Sequence, residues 1–338
     1  MNYVYTMATT VTTSNIMKRC INSDLSNCPC ILVASHISKA NRVLLLQDTL
    51  ISLIQQTHLA HIYVSISFET EDDRTLFIQT MHENEMLRGF SDLYVFMRPN
   101  KTPQMRHYGL LFPEIDQKNY QWIFFCDDDD IYDKDRVKVF MEAIRDCPDT
   151  NLAGLYESTF YKHHREQRHE YWCYCVNIEI LRKFYIIIHK YEDILHHQCC
   201  DVHFGEFLRR LDDNSKSPFI RITQPLYHYR VENNSDSVTG KIQKLRTNWQ
   251  YLTPPLGDPM FSEYIIALDN FLYENINFYL HDTYLRTLIG SSFDEILRHE
   301  FKEDYDILQF LDTVHVEKLK EYYDYVRGIS NEIYDIKI

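Results

Sequence analysis

Trp122-Ile123-Phe124-Phe125-Cys126-Asp127-Asp128-Asp129-Asp130-Ile131-Tyr132-Asp133 is the most informative stretch of the chain. Apolar and aromatic residues of high strand propensity run straight into four consecutive carboxylates, the pattern of a buried strand whose carboxyl end emerges at a charged crevice. Adjacent aspartates repel one another, so without a compensating cation at least one is pushed toward protonation. Hard divalent cations take carboxylate oxygens, and Mg²⁺ or Mn²⁺ keeps positions open for phosphate oxygens. A strand ending in Asp-x-Asp thus points to a metal-diphosphate site. An acidic run by itself reads as a solvated turn. Here Val137, Phe140, Met141 and Ile144 recur at helical spacing, and Asp133 or Asp135 is placed to cap that helix. The aspartates then occupy a tight strand-to-helix connection, the edge where open α/β sheets bind ligands.

With 338 residues the chain is long enough for one large domain or a core domain with an appendage. Its 45% hydrophobic and 14% aromatic content exclude a disordered protein. A formal charge of −14, from 35 basic and 49 acidic residues, argues against a nucleic-acid binder. An anionic substrate must then be held locally, by a metal or by a few placed Lys and Arg. No apolar run of about 18 residues exists, so no transmembrane segment is expected. Met1 to Asn27 is polar, without the apolar middle of a signal peptide, and a cytoplasmic location follows as an expectation. Asn100-Lys101-Thr102 and Asn233-Asn234-Ser235 fit the glycosylation acceptor pattern but fall in segments assigned to the crevice, which agrees with that expectation. The nine cysteines are scattered and odd in number, so reduced thiols are expected. A zinc site from Cys173, Cys175, Cys199 and Cys200 with His196, His197 or His203 would rest on C-x-C spacing, which is not the usual knuckle. Gly is scarce, at 8 residues, and no Gly-rich phosphate loop is present.

Outward from the acidic strand, strands and helices alternate. Residues 1–27 read as a flexible lead-in. Cys30 to His36 reads as a buried strand, and Asn41 to Gln56 as a helix with Val43, Leu46, Leu50, Leu53 and Ile54 on one face. His61 to Phe68 is a second strand, ending at an acidic turn, Glu69 to Asp73. A helix around Arg74 to Leu87 and a third strand, Leu93 to Met97, follow. This alternation predicts right-handed crossovers and a mainly parallel sheet. The basic loop Lys162 to His169 reads as exposed, with the diphosphate or an anionic acceptor as its candidate contact. Thr253 to Pro259 is turn-rich, and beyond it helices dominate, notably Ser292 to Phe301 and Val314 to Arg327.

Four segments, in order, resemble landmarks of family-2 glycosyltransferases with the GT-A fold. They are Ile31 to His36, Leu50-Ile51-Ser52-Leu53-Ile54-Gln55-Gln56-Thr57, the loop Arg98 to His107, and Phe124 to Asp130. The resemblance covers about residues 28–145, and more weakly the stretch to about 240. It implies an α/β GT-A fold, a mainly parallel sheet flanked by helices, with a helical C-terminal extension. Together with the reading of the residues outside it, the resemblance gives a lead-in over 1–27, a transferase domain over 28–240, and a mainly helical region over 241–338, expected to pack on the catalytic domain or form an oligomer contact. It also implies a nucleotide-sugar donor, a glycan or other hydroxyl acceptor, and Mn²⁺ or Mg²⁺. By the same resemblance Ser35, His36, Glu69, Arg106, Asp127 and Asp128 are candidates for nucleotide binding, and Asp127 and Asp129 for the metal.

Several positions depart from the family pattern. Glu69 or Glu71 stands where an Asp contacts the base. Met105 and His107 flank Arg106 in place of Ala and Asn. Asp201, opening an amphipathic helix, matches the family's catalytic base, with Glu206 in reserve; as an Asp at a helix start it also reads as a cap. Glu170 to Asn177 resembles an acceptor-side aromatic segment, though core packing accounts for its aromatics equally well. In Tyr227 to Ser237 the family's His position falls on Glu232 or Asn233, and the earlier His228 is the candidate third metal ligand. Two other classes compete: a non-catalytic carbohydrate-binding or scaffold relative, and an aspartate-nucleophile phosphatase, whose motif stands near the start of its core. Here three strand-helix units precede it. An EF-hand is excluded because no Gly lies at the required turn between Asp127 and Asp133.

Overall fold

The computed structural model describes residues 3–5, 28–149, 151–157, 170–213, 219–230, 257–301 and 313–334. The chain divides into two compact units, Met1–Arg230 and Val231–Lys337. In the first unit, β1 (Tyr3–Tyr5) precedes β2 (Cys30–Ile37), α1 (Ala40–Ile54), β3 (His61–Phe68), α2 (Glu71–Glu83), α3 (Glu85–Gly89) and β4 (Leu93–Arg98). Next come α4 (Gln104–Asp116), β5 (Trp122–Asp127), the short β6 (Ile131–Tyr132), α5 (Arg136–Asp146), β7 (Gly154–Glu157) and β8 (Tyr174–Asn177). The unit closes with α6 (Ile178–Ile188), α7 (Glu192–Leu195), α8 (Cys200–Asp213), β9 (Phe219–Ile222) and β10 (Tyr227–His228).

Ile31, Leu32 and Val33 of β2, Ile62 and Val64 of β3, and Ile123, Phe124 and Phe125 of β5 are fully buried. Unbroken apolar runs of this kind belong to strands covered on both faces. Each such side chain contributes roughly 1.5–3 kcal/mol on burial. The sheet has eight strands in the order β1-β4-β3-β2-β5-β8-β7-β9. Its centre is parallel, β4-β3-β2-β5, and β7 runs parallel to β9. The pairs β1/β4, β5/β8 and β7/β8 are antiparallel. This is the α/β, Rossmann-like, mainly parallel sheet with flanking helices that the alternation predicts. Of the expected lead-in, only Tyr3–Tyr5 is described, and it pairs with β4; residues 6–27 lie outside the described residues, as does the basic loop at 162–169.

The strand order reverses between β2 and β5, and ligands of open α/β sheets bind outside the carboxyl ends at such a point. Ala34 is in register with Asp127 there. Ser35, the next residue of β2, therefore lies beside Asp128, the first residue past the end of β5.

Local features differ from the sequence reading: Gln104 to His107, read as the end of a loop, open α4, and α1 stops at Ile54 rather than Gln56. Glu71 to Asp73 form the first turn of α2 rather than a free turn, because the Thr70 hydroxyl accepts from Asp73 N at 3.1 Å. Carboxylates in a first turn also suit the helix dipole.

The second unit is helical throughout its described residues: α9 (Phe261–Glu274), α10 (Ile276–Leu288), α11 (Phe293–Phe301) and α12 (Thr313–Tyr334). Tyr264, Leu268, Leu272, Tyr279, Leu297 and Leu319 form its core. Gly290, at φ +94°, turns the chain out of α10. Ser292 then starts α11 with a reciprocal cap: its hydroxyl accepts from Glu295 N at 3.3 Å, while Glu295 Oε2 accepts from Ser292 N at 2.7 Å. Among the described residues no helix is long and apolar enough to cross a membrane.

The two most deeply buried histidines described in the first unit are His107 on α4 and His203 on α8. Burial pushes each down to about 3, with Arg98 and His36 adding at His107 and His197 at His203. Unfolded, each titrates near 6.5. The native state thus binds fewer protons between those values, so the stability these groups contribute is full above about pH 6.5 and declines as pH falls toward 3. Between pH 7.5 and 5 each removes about 2 kcal/mol. The variant His203→Gln should therefore lose about 2 kcal/mol less than the wild type over that interval, measured by urea unfolding at both pH values. An equal loss in the two proteins would show that His203 is charged in the native state.

Candidate active site

The helix after the first strand holds the acidic loop in place. Ser52 Oγ accepts from Tyr132 N at 3.2 Å and donates to Thr49 O at 2.7 Å. Gln56 Oε1 accepts from Val137 N at 3.0 Å, and its Nε2 donates to Asp133 O at 2.8 Å. A side chain from the end of α1 thus caps α5, while Asp133 Oδ1 accepts from Asp135 N at 2.9 Å. The Ser and Gln of the Leu50 to Thr57 segment consequently fix where the four aspartates sit.

Those aspartates differ in their partners. Both oxygens of Asp128 are engaged, Oδ2 by the Ser35 hydroxyl at 2.6 Å and Oδ1 by Arg42 Nη2. Both oxygens of Asp130 are engaged too, by the Tyr227 hydroxyl at 2.7 Å and by Arg230 N at 2.8 Å. Asp127 and Asp129 are each held on one side. Asp127 Oδ1 accepts from Gln104 Nε2 at 2.8 Å and from the Tyr171 hydroxyl. Asp129 Oδ2 accepts from Arg42 Nη1 at 2.9 Å. Among the described residues no donor reaches Asp127 Oδ2 or Asp129 Oδ1.

Charge around these groups is undercompensated. Burial, followed by the Asp130 charge, pushes the Asp127 carboxyl well above the usual range. Burial lifts Asp128 to about 6 against the pull of Arg42, and Asp130 to about 7 against the hydrogen bond from Arg230 N. Burial, then Asp127, Tyr108 and Asp201, push the Tyr171 hydroxyl upward. Tyr171 therefore stays protonated and donates. Oxygen-only donors, excess negative charge and one open oxygen on each of Asp127 and Asp129 fit a hard divalent cation.

Most of the residues named from the sequence stand at this sheet edge. Ser35 grips Asp128, and His36 lies 2.9 Å from both Ser67 Oγ and Glu69 Oε2. Glu69 also meets Lys101 Nζ at 3.4 Å. Arg106 is elsewhere engaged, pairing with Glu192 at 3.4 Å. His228 is exposed and in register with Ile131, whereas its strand neighbour Tyr227 is buried and bonds Asp130. Alternate residues of a strand face opposite ways, so Tyr227 rather than His228 serves the aspartates. Asp201 is half-buried in the first turn of α8, near enough to Tyr171 to act on its hydroxyl. Glu206 is buried against Arg209 at 2.7 Å. In the aromatic segment, Trp172 is buried and stacks on Tyr227 at 4.3 Å and on Tyr229 at 5.4 Å, and Tyr229 is the exposed ring of the three.

Arg42, Gln104, Tyr171, Tyr227 and Arg230 were not named as site residues from the sequence, although all but Arg42 lie in segments that carry the resemblance. Arg42 had a local signal of its own, a cation in the first turn of α1 where the dipole disfavours one.

No protein-family model matches the chain, and no curated protein matches it. Among solved structures it is similar to residues 1–349 of S. aureus TarS in complex with UDP, at 15% identity over 91% of this chain and 89% of that one, with a TM-score of 0.43. The same protein in complex with UDP-GlcNAc gives 14% identity over 90% and 91%, with a TM-score of 0.42. A cytidylyltransferase from Leptospira borgpetersenii gives 12% identity over 72% and 95%, with a TM-score of 0.39. Likeness at this level names no activity for this chain.

Proposed function

We propose that the chain is a metal-dependent glycosyltransferase that moves a sugar from a nucleotide-diphosphate donor to an acceptor hydroxyl with inversion. The observation that carries this reading is the division of labour among four adjacent aspartates at the switch point of a parallel sheet. Asp128 and Asp130 are saturated by protein donors and hold the loop, while Asp127 and Asp129 each keep an oxygen open. Asp127 and Asp129 would hold Mn²⁺ or Mg²⁺, which when bound neutralises the departing nucleoside diphosphate. Arg42, already at the rim of the cluster, is placed to meet phosphate oxygens. His36 and Glu69 lie on the nucleoside side. Asp201 takes the proton of the acceptor hydroxyl as that oxygen attacks the anomeric carbon from the face opposite the diphosphate. One such displacement inverts the configuration. In this reading residues 28–240 are the transferase domain and 241–338 an accessory helical region.

The test is calorimetric titration with UDP, GDP, CDP and ADP, with and without Mn²⁺. Binding is expected to need the cation, and Asp129→Ala should weaken it as much as EDTA does, on the order of 10²-fold, since a chain of charge −14 offers a bare diphosphate little attraction. Equal affinity in EDTA would remove the metal from the mechanism.

A further inference from the structure

A chain of polar side chains runs from a buried cation to an exposed carboxylate. Arg98 Nε donates to Ser65 Oγ at 2.8 Å. Ser65 Oγ lies 2.8 Å from His107 Nδ1, and His107 Nε2 lies 3.3 Å from Ser67 Oγ. Ser67 Oγ is 2.9 Å from His36 Nδ1, whose Nε2 is 2.9 Å from Glu69 Oε2. Arg98, Ser65, Ser67 and His107 are buried, while Glu69 is exposed.

Both ends of this chain are chemically one-sided. A guanidinium only donates, and an ionised carboxylate only accepts. Because Ser65 Oγ accepts from Arg98, the hydroxyl hydrogen has one acceptor left among these partners, His107 Nδ1. A neutral His107 then carries its hydrogen on Nε2 and donates to Ser67. Ser67 in turn gives its hydrogen to His36 Nδ1, which leaves His36 protonated on Nε2, facing Glu69. Starting from Glu69 gives the same assignment. Every joint is filled once, in one direction. The burial that keeps His107 neutral supports this polarity.

We infer that Arg98, Ser65, His107 and Ser67 form a one-way hydrogen-bond relay that sets the His36 tautomer and so orients the Glu69 carboxylate toward a hydrogen-bond donor of the nucleoside. Resting on the nucleotide-site reading above, it makes His107 and Ser67 positioning residues that touch no substrate. Glu69 Oε2 is taken by His36 and Lys101, and its Oε1 accepts no bond among the described residues. That open oxygen faces a ligand hydroxyl or ring N–H with its direction already set, which lowers the ordering cost of binding.

The relay is tested on the free protein by ¹⁵N-resolved NMR of the histidine rings at pH 8. His36 and His107 should both be Nε2–H tautomers. Ser67→Ala, which removes one oxygen from a buried strand, should leave His36 a mixture of tautomers and weaken nucleoside diphosphate binding about 10-fold, roughly 1.4 kcal/mol, with Tm lowered by a few degrees because the buried His107 N–H loses its acceptor. His107→Gln is the second variant and should act the same way on His36. An Nδ1–H tautomer at His36 in the wild type overturns the relay, as does unchanged His36 tautomer and affinity in both variants. If the wild type binds none of UDP, GDP, CDP and ADP, the nucleotide-site reading fails, and the ring spectra still decide the relay.

Discussion

The transfer rate of Asp201→Asn should fall by at least about 10²-fold, the scale of a general-base contribution, with donor affinity and Tm nearly unchanged. Asp201 lies in the first turn of α8, and its charge acts on Tyr171, the residue that donates to Asp127. That places it near the Asp127 end of the acidic cluster. Asparagine keeps the shape and the capping ability of aspartate but cannot take a proton at neutral pH. Steady-state kinetics with a donor found in the nucleotide screen, beside calorimetry and a thermal melt, separates the roles. Transfer near the wild-type rate would move the base elsewhere. Glu206 is then a poor successor as it stands, since Arg209 holds it at 2.7 Å. A large drop in Tm with the rate per folded molecule preserved would make Asp201 a helix cap.

Glu157→Ala is expected to have the largest effect on stability, about 3–5 kcal/mol, or on the order of 10 °C in Tm. Arg136 and Glu157 are both fully buried and pair at 2.7 Å. The guanidinium stacks over the Tyr132 ring at 4.1 Å and donates to Trp172 O at 3.0 Å. The other Glu157 oxygen accepts from Leu226 N at 2.5 Å and Tyr227 N at 3.0 Å. Removing the carboxylate leaves a buried cation unpaired and two backbone donors without their acceptor, and that uncompensated burial is what costs. Tyr227 also bonds Asp130, so the surviving folded fraction should bind nucleoside diphosphate more weakly. Glu157→Gln keeps an acceptor for the backbone and should lose less than Glu157→Ala. Melting of Glu157→Ala within a degree or two of wild type would show that water replaces the carboxylate.

Each of these two predictions rests on a contact the sequence does not display. Asp201 was legible because an acidic residue opening an amphipathic helix is a local pattern. Its approach to Tyr171 was not, because that depends on how α8 packs. Arg136 reads in sequence as an ordinary residue at a helix start, and only burial makes it the partner of Glu157.

The sequence by itself determined the central strands β2 to β5, the helices α1, α2 and α5, and the acidic loop at the end of β5. Short apolar runs rich in strand formers between turn signals fit covered strands, their alternation with helices fits a parallel centre to the sheet, and four aspartates directly after such a strand stand at its carboxyl end. His61 to Phe68 is a strand with the bounds read from the sequence, and Ser52 lies in α1 as read, whereas Gln56, read as the helix end, lies past the Gln55 C-cap. The tertiary structure alone decided which aspartate oxygens are saturated and which stay open, that Tyr227 and not His228 faces them, and that Arg42 and Arg230 reach the cluster while Arg106 pairs with Glu192. Periodicity reports which face of an element is buried, whereas the choice among equivalent donors is made by strand alternation and by side chains up to about 100 residues apart in sequence, as Asp130 and Arg230 are.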